Sequence, residues 1–225
     1  MNTKRKTSHD CPDRTDDASL ARIEQIRSKA LELFAERGFS QVGMRELALR
    51  LGIGAGSFYH HFVSKEQMLF ELIEELYEDL HDAATLTRAG SATQRLEGLL
   101  RAHIALHERR SLHFLMAEQE LRNLSPAHYQ QIRQMREQYE SELLSRLRAA
   151  GAQAPETVLR ACVEATVTWL NSLSISGAAS ELDTTQRLAL THDMVMGALS
   201  GVLPAAGRNG SIVVALQAVA AAQQA

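Results

Sequence analysis

Apolar residues recur along this chain at helical spacing almost from the start. From Ser19, Ile23, Ile26, Ala30, Leu33 and Phe34 follow at steps of three and four, which predicts an amphipathic helix stopped at Gly38 by a left-handed cap. Two short helices follow, near Met44–Leu51 and Ala55–His61, with only Leu51-Gly52-Ile53-Gly54 between them, room for a tight turn and nothing more. Ser64 and Gln67 form a capping-box pair that opens a long helix, whose stripe is Met68, Leu69, Leu72, Ile73, Leu76 and Leu80. Beyond Gly90 the pattern predicts helices at 92–109, 111–122, 126–149, 155–178 and 184–202, with Ser125-Pro126 a start signal and Gly151 a stop signal. No segment alternates in the manner of a strand, so the fold class is all-α, with about nine or ten helices. The tail after Gly210 has helical spacing and reads as a last short helix or a frayed end.

Composition adds boundaries. A chain of 225 residues, 45% hydrophobic and 23% charged, suits one small and one medium domain. The expected division is a polar arm over 1–17, a compact three-helix unit over 18–64, and a larger helical domain over 65–225. No apolar run of about 20 residues occurs and the first residues lack a signal-peptide centre, so the expectation is a cytoplasmic protein that does not enter a membrane. Cys11 and Cys162 have no partner at metal-ligand spacing and read as reduced thiols. Charge is uneven: residues 1–65 carry 11 Lys and Arg against 8 Asp and Glu, while the remainder carries 13 against 19. A basic N-terminal part, which includes Lys4-Arg5-Lys6, favours a nucleic-acid footprint there.

The short helices at 44–61 carry the most specific chemistry. Leu47, Leu51, Ile53 and Phe58 supply buried contacts, Ala48 is small where two helices cross, and Gly52 fits a turn that needs positive φ. That set describes a helix-turn-helix, whose second helix enters the major groove, although a helical hairpin that never meets DNA would need the same packing. The stretch LFAERGF, then MRELALRLGI, then GSFYHHF, then SKEQM, spanning Ile23 to about Leu80, resembles the TetR family of transcriptional regulators.

The resemblance implies an N-terminal helix-turn-helix DNA-binding domain, followed by a larger domain for ligand binding and dimerisation. It places Arg45, Ala55, Gly56 and Ser57 nearest the base edges, and Tyr59, His60 and Lys65 on phosphates. Arg45 is the best candidate for direct reading, because a guanidinium can bond guanine O6 and N7 together; a further phosphate contact is the alternative. Tyr59 has the alternative of packing within the small domain. His61 and Phe62 are expected to pack inward. Gly43 and Gly54 stand where the family usually has Ser or Thr at helix N-caps, which removes two hydroxyls from the phosphate-binding repertoire.

In the family the last two long helices pair two copies, which assigns 155–178 and 184–202 to a homodimer interface. Val163, Val167, Leu170 and Ser174 lie on one face of the first, and Leu190, Met194, Gly197 and Gly201 give the second a small-residue stripe; an ordinary intrachain hairpin is the alternative. Effector-pocket candidates among the middle helices are His103, His107, His113, Phe114, Met116, Gln119, Tyr139 and Trp169. His103 and His107 have metal-ligand spacing but no accompanying carboxylate or cysteine pattern, so a solvated helix face is expected there and no metal. LSPAHYQQIRQMREQYESELLSRL resembles the matching helix of regulators that respond to acyl-CoA thioesters. The implied effector is an acyl-CoA or other hydrophobic acid derivative, with Arg109, Arg110, Arg122, Arg133 and Arg136 available for phosphates.

No nucleophile with base and orienter, no paired carboxylates and no phosphate-cradling glycine loop occurs, so neither an enzyme nor a cofactor is expected. The competing reading is a non-specific architectural DNA-binding protein. A double-stranded operator and a released repressor remain the leading expectation.

Overall fold

The computed structural model describes residues 14–54, 56, 59, 62–173 and 181–204. Among them are eight α-helices and no strand: α1 (Arg14–Arg37), α2 (Met44–Arg50), α3 (Lys65–Leu86), α4 (Ala92–Arg109), α5 (Ser111–Gln119), α6 (Pro126–Ala149), α7 (Glu156–Asn171) and α8 (Thr184–Leu199). Two single 3-10 turns, Phe39–Gln41 and Leu121–Asn123, complete the regular structure. The chain divides into two units, one up to Lys65 and one from Glu66. No described helix is long and apolar enough to cross a membrane.

In the first unit α1 starts at Arg14, ahead of the Ser19 expected from the apolar spacing, because the charged turn before the stripe has no helix breaker after Pro12. Its apolar stripe is buried through Ile26, Ala30, Leu33 and Phe34. Gly38 ends it at φ 82° and ψ 139°, an extended positive-φ form open only to glycine and not the left-handed helical cap expected. The chain is thereby turned straight into the 3-10 turn, where Phe39 meets Phe34 edge to face at 5.2 Å.

In the second unit α4 is the central element, packed against α5, α6, α7 and α8. Side chains fix where it starts and where α8 starts. Ser91 accepts from the Gln94 N–H while Gln94 accepts from the Ser91 N–H, and Asp183 and Gln186 repeat this reciprocal cap. The α3 stripe is fully buried, from Met68 to Leu80. Buried Arg146 on α6 closes the end of α3, donating to the Thr87 carbonyl at 3.1 Å, the Thr87 hydroxyl at 2.7 Å, the Arg95 carbonyl at 2.9 Å and also the Ala84 carbonyl. The Ala84 and Thr87 carbonyls stand at the C-terminal end of α3, where backbone donors run out, so a guanidinium is a fitting cap beside the Thr87 hydroxyl, which also reaches the Ala84 carbonyl at 3.3 Å. At the other end of α6, the Glu66 carboxylate accepts from the Ser125 N–H at 2.6 Å and pairs with His128 Nδ1 at 2.8 Å. Burial acts to raise the Glu66 pKa, but the Ser125 N–H and His128 outweigh it and hold it below the ordinary carboxylate value.

Three helices end earlier than expected, that over 184–202 doing so at Leu199. The helix expected over 111–122 ends at Gln119 and becomes a 3-10 turn. That expected over 155–178 stops at Asn171, because the Ser172 hydroxyl bonds back to the Thr168 carbonyl at 2.6 Å and competes with further helix. Residues 174–180, the tail after Gly210, and most of the helix expected over 55–61 lie outside the described residues; Gly56 and Tyr59 within that helix are helical.

Candidate nucleic-acid interface and effector pocket

The turn after α2 is built by the backbone. Ile53 N–H donates to the Ala48 carbonyl at 3.0 Å and Gly52 N–H to the Leu49 carbonyl at 3.1 Å, the paired bonds of a Schellman cap. That cap needs a left-handed residue between them, and Gly52 sits at φ 65°. Leu47 and Ala48 are buried, Leu51 and Ile53 half-buried, and Phe58 lies outside the described residues. With its inner face so committed, α2 turns Arg45, Leu49 and Arg50 to solvent. Gly43 caps α2 with no side-chain bond, as its lack of a hydroxyl dictates.

Arg45 and Gly56 are exposed, and Tyr59 is 53% exposed. Ala55, Ser57, His60 and His61 lie outside the described residues. Phe62 is buried, whereas Val63 beside it is open to solvent. Lys65 is bound into the fold, since its ammonium donates to the Phe39 carbonyl at 2.7 Å and the Val42 carbonyl at 2.8 Å, 4.1 Å from the centre of the Phe39 ring. It thus pins the loop that leads into α2. The exposed Arg37–Glu46 pair at 2.7 Å links α1 to α2 and adds little.

In the second unit the eight residues proposed for an effector separate into groups. His103 and His107 are buried and not on the solvated face expected, because Phe114 packs against both rings; His103, Phe114 and Tyr139 form one cluster, with His103 Nδ1 2.9 Å from the Tyr139 hydroxyl. Burial, helped by the neighbouring His107, lowers the His103 pKa to about 3, and burial lowers that of His107 as well. Met116 is buried elsewhere on α5, His113 is half-buried near Arg110, and Gln119 is exposed. Of the eight, His107 and Trp169 reach a cavity of about 190 Å³ formed by α4, α7 and α8. Its charged members are Glu108 and Arg187, and Arg187 Nε donates to Glu108 Oε1 at 3.1 Å. Neither residue stands out in the sequence, where 79 positions separate them.

Of the two faces expected to pair copies, that of α7 is already used within the chain, while in the second stripe Met194 and Gly201 are exposed and Leu190 and Gly197 half-buried. Val163, Val167 and Leu170 are buried in the second unit, because an apolar face packs first against its own neighbours; Ser174 lies outside the described residues. The large apolar side chains that α7 and α8 do expose are Val158, Trp169 and Met194.

Residues 26–72 match the family model for bacterial regulatory proteins of the tetR family. Residues 89–175 match the tetracyclin repressor-like C-terminal domain. The chain belongs to the TetR family. It is 32% identical to the HTH-type transcriptional repressor KstR2 of Mycolicibacterium smegmatis over 112 residues, 47% of this chain and 52% of that protein. The chain thus spans about half the length of the first curated relatives it matches. Among solved structures, a tetR-family regulatory protein from Rhodococcus RHA1 superposes with a TM-score of 0.73 at 24% identity, covering 82% of this chain and 98% of that one. AibR, in complex with isovaleryl coenzyme A and operator DNA, superposes with a TM-score of 0.64 at 21% identity, covering 77% and 97%. Against this TetR fold, the positions missed by sequence reasoning are Glu108, Arg187 and the second role of Lys65. Only long-range contacts define them.

Proposed function

We propose that this protein is a ligand-responsive, sequence-specific DNA-binding transcriptional regulator. It acts as a cytoplasmic homodimeric repressor released from its operator by a small molecule. One observation carries the reading: the Schellman-capped turn at Gly52 buries Leu47 and Ala48 and leaves Arg45 exposed ahead of the segment that holds Gly56 and Tyr59. A hairpin folded for packing alone would share these buried contacts, and membership of a family of regulatory proteins is what favours the groove-reading alternative. Family membership and the repressor name borne by its relatives support the same reading.

In this proposal Arg45, Ala55, Gly56 and Ser57 approach the base edges while Tyr59 and His60 contact phosphates. Lys65 acts as a positioning residue, since its ammonium lies on the Phe39 and Val42 carbonyls. Two copies pair through the exposed apolar faces of α7 and α8, placing two recognition helices about 34 Å apart. For the effector, the resemblance suggests an acyl-CoA or a related hydrophobic acid. Of the arginines suited to its phosphates, however, Arg110, Arg133 and Arg136 are already paired with carboxylates.

Footprinting on DNA flanking the protein's own gene, followed by competition with random duplex, tests the reading. A specific regulator prefers its site by at least about a thousandfold, whereas an architectural binder shows no such preference. Tyr59→Phe weakens binding to all duplexes alike, while Arg45→Ala also relaxes the preference at one base pair, by about 1–3 kcal/mol. If the ranking of operator variants is unchanged in Arg45→Ala, Arg45 does not read a base.

A further inference from the structure

The cavity between α4, α7 and α8 is small, mostly apolar and internally neutralised. Its apolar lining includes Ile104, Trp169, Leu188, Leu190 and Met194. Its polar members are Thr191, His107 and the Arg187–Glu108 pair. Arg187 is further committed to the Leu182 carbonyl at 2.6 Å and the Thr184 hydroxyl at 3.0 Å. The volume of about 190 Å³ lies just above an engineered cavity that binds benzene, about 150 Å³, and below the roughly 300–1,000 Å³ usual for drug-sized ligands.

From this geometry we infer that the effector is an uncharged, apolar molecule of about ten non-hydrogen atoms, bearing one hydrogen-bonding group for Thr191 or His107. The inference rests on the ligand-responsive reading and names the ligand class. A carboxylate entering this wall would find its one cation already paired with Glu108, and would lose hydration without gaining a counter-charge. Burial keeps His107 uncharged at neutral pH, so it offers no cation either. A coenzyme A thioester brings several negative charges and a nucleotide that this volume does not enclose. The charge balance also defines a reversal: removing the Glu108 carboxylate leaves Arg187 uncompensated and converts the cavity into one that selects acids.

Trp169 is the only tryptophan of the chain and lies in the cavity wall, so its fluorescence reports occupancy with no DNA present. The test titrates the full-length protein at pH 7.5 with methyl cyclohexanecarboxylate, with cyclohexanecarboxylate and with the coenzyme A thioester of that acid. The wild type should bind the ester at least about tenfold more tightly than the acid or the thioester. Glu108→Gln should reverse the order of ester and acid, and Thr191→Phe, which fills the cavity, should abolish the response. If Thr191→Phe does not fold, the reversal in Glu108→Gln decides alone. The inference is overturned by equal or tighter binding of acid or thioester to the wild type, by an unchanged ratio in Glu108→Gln, by unaltered binding in a folded Thr191→Phe, or by no saturable response to the ester. Operator release is measured separately. Ester binding without release would refute ligand responsiveness and leave the ligand class standing.

Discussion

The buried His103 makes the stability of the second unit depend on pH in a direction and size that can be worked out. In the folded chain its pKa is about 3, because the ring is fully enclosed and faces His107; in the unfolded chain it returns to about 6.5. Between these values the unfolded chain holds a proton that the folded chain does not, so stability falls as pH drops below 6.5. At pH 7.5 the effect is negligible. At pH 5.0 it amounts to about 2 kcal/mol, set almost wholly by the unfolded value because pH 5.0 still lies above the folded one. His107 acts in the same direction. Glu74 and Asp79, whose pKa values burial raises, act in the opposite one.

A paired variant isolates the His103 contribution from these others. Replacing both members of the hydrogen bond, in His103→Leu with Tyr139→Phe, removes the titrating ring without stranding the Tyr139 hydroxyl. Urea unfolding followed at Trp169 then gives the loss in stability between pH 7.5 and 5.0 for each protein. Wild type should lose about 2 kcal/mol more than the double variant, since every other group is common to both. Equal losses in the two proteins would refute the argument, whatever their absolute stabilities.

Two further outcomes follow from single positions. Gly52→Ala places a Cβ at φ 65°; no neighbouring atom obstructs it, so the cost is backbone strain of about 1 kcal/mol, visible in thermal unfolding of the first unit, with weaker operator binding as the turn loosens. Arg146→Met removes the donor to the Ala84, Thr87 and Arg95 carbonyls and should destabilise the second unit by about 3 kcal/mol in urea unfolding, whereas Arg133→Met, on the exposed face of the same helix, should change stability by less than about 0.5 kcal/mol.

Where the controlling interactions are local, the sequence was readable. The Gly52 turn and the stop at Gly151 rest on contacts within a few residues, and each stands where the sequence put it. Two capping boxes were equally local, since Ser91 with Gln94 and Asp183 with Gln186 show the same three-residue spacing as Ser64 with Gln67, yet they were not singled out. Periodicity says that a face is buried and not what buries it. For that reason Val163, Val167 and Leu170 were assigned to a second copy when their own chain covers them. The effector residues were chosen by type, which selected the His103–Tyr139 cluster. The cavity depends on Glu108 meeting Arg187 across the fold, a pairing that no local pattern encodes.

A small cavity is sufficient for a switch of the kind proposed. A ligand of about ten atoms, at about 0.3–0.5 kcal/mol per atom, binds with about 3–5 kcal/mol, and coupling to a second site typically needs about 1–3 kcal/mol. The ligand must therefore direct a large part of its binding energy to one conformation, and a site inside a rigid core would not let it do so. This cavity sits where α4, held by four other helices, faces α8, and its wall includes Trp169 and Met194, which are also the exposed apolar side chains of the proposed pairing helices. On the proposed pairing, an occupant that displaces α8 against α4 would act directly on the seam between two copies, which is how so small a ligand could bias one conformation of the dimer.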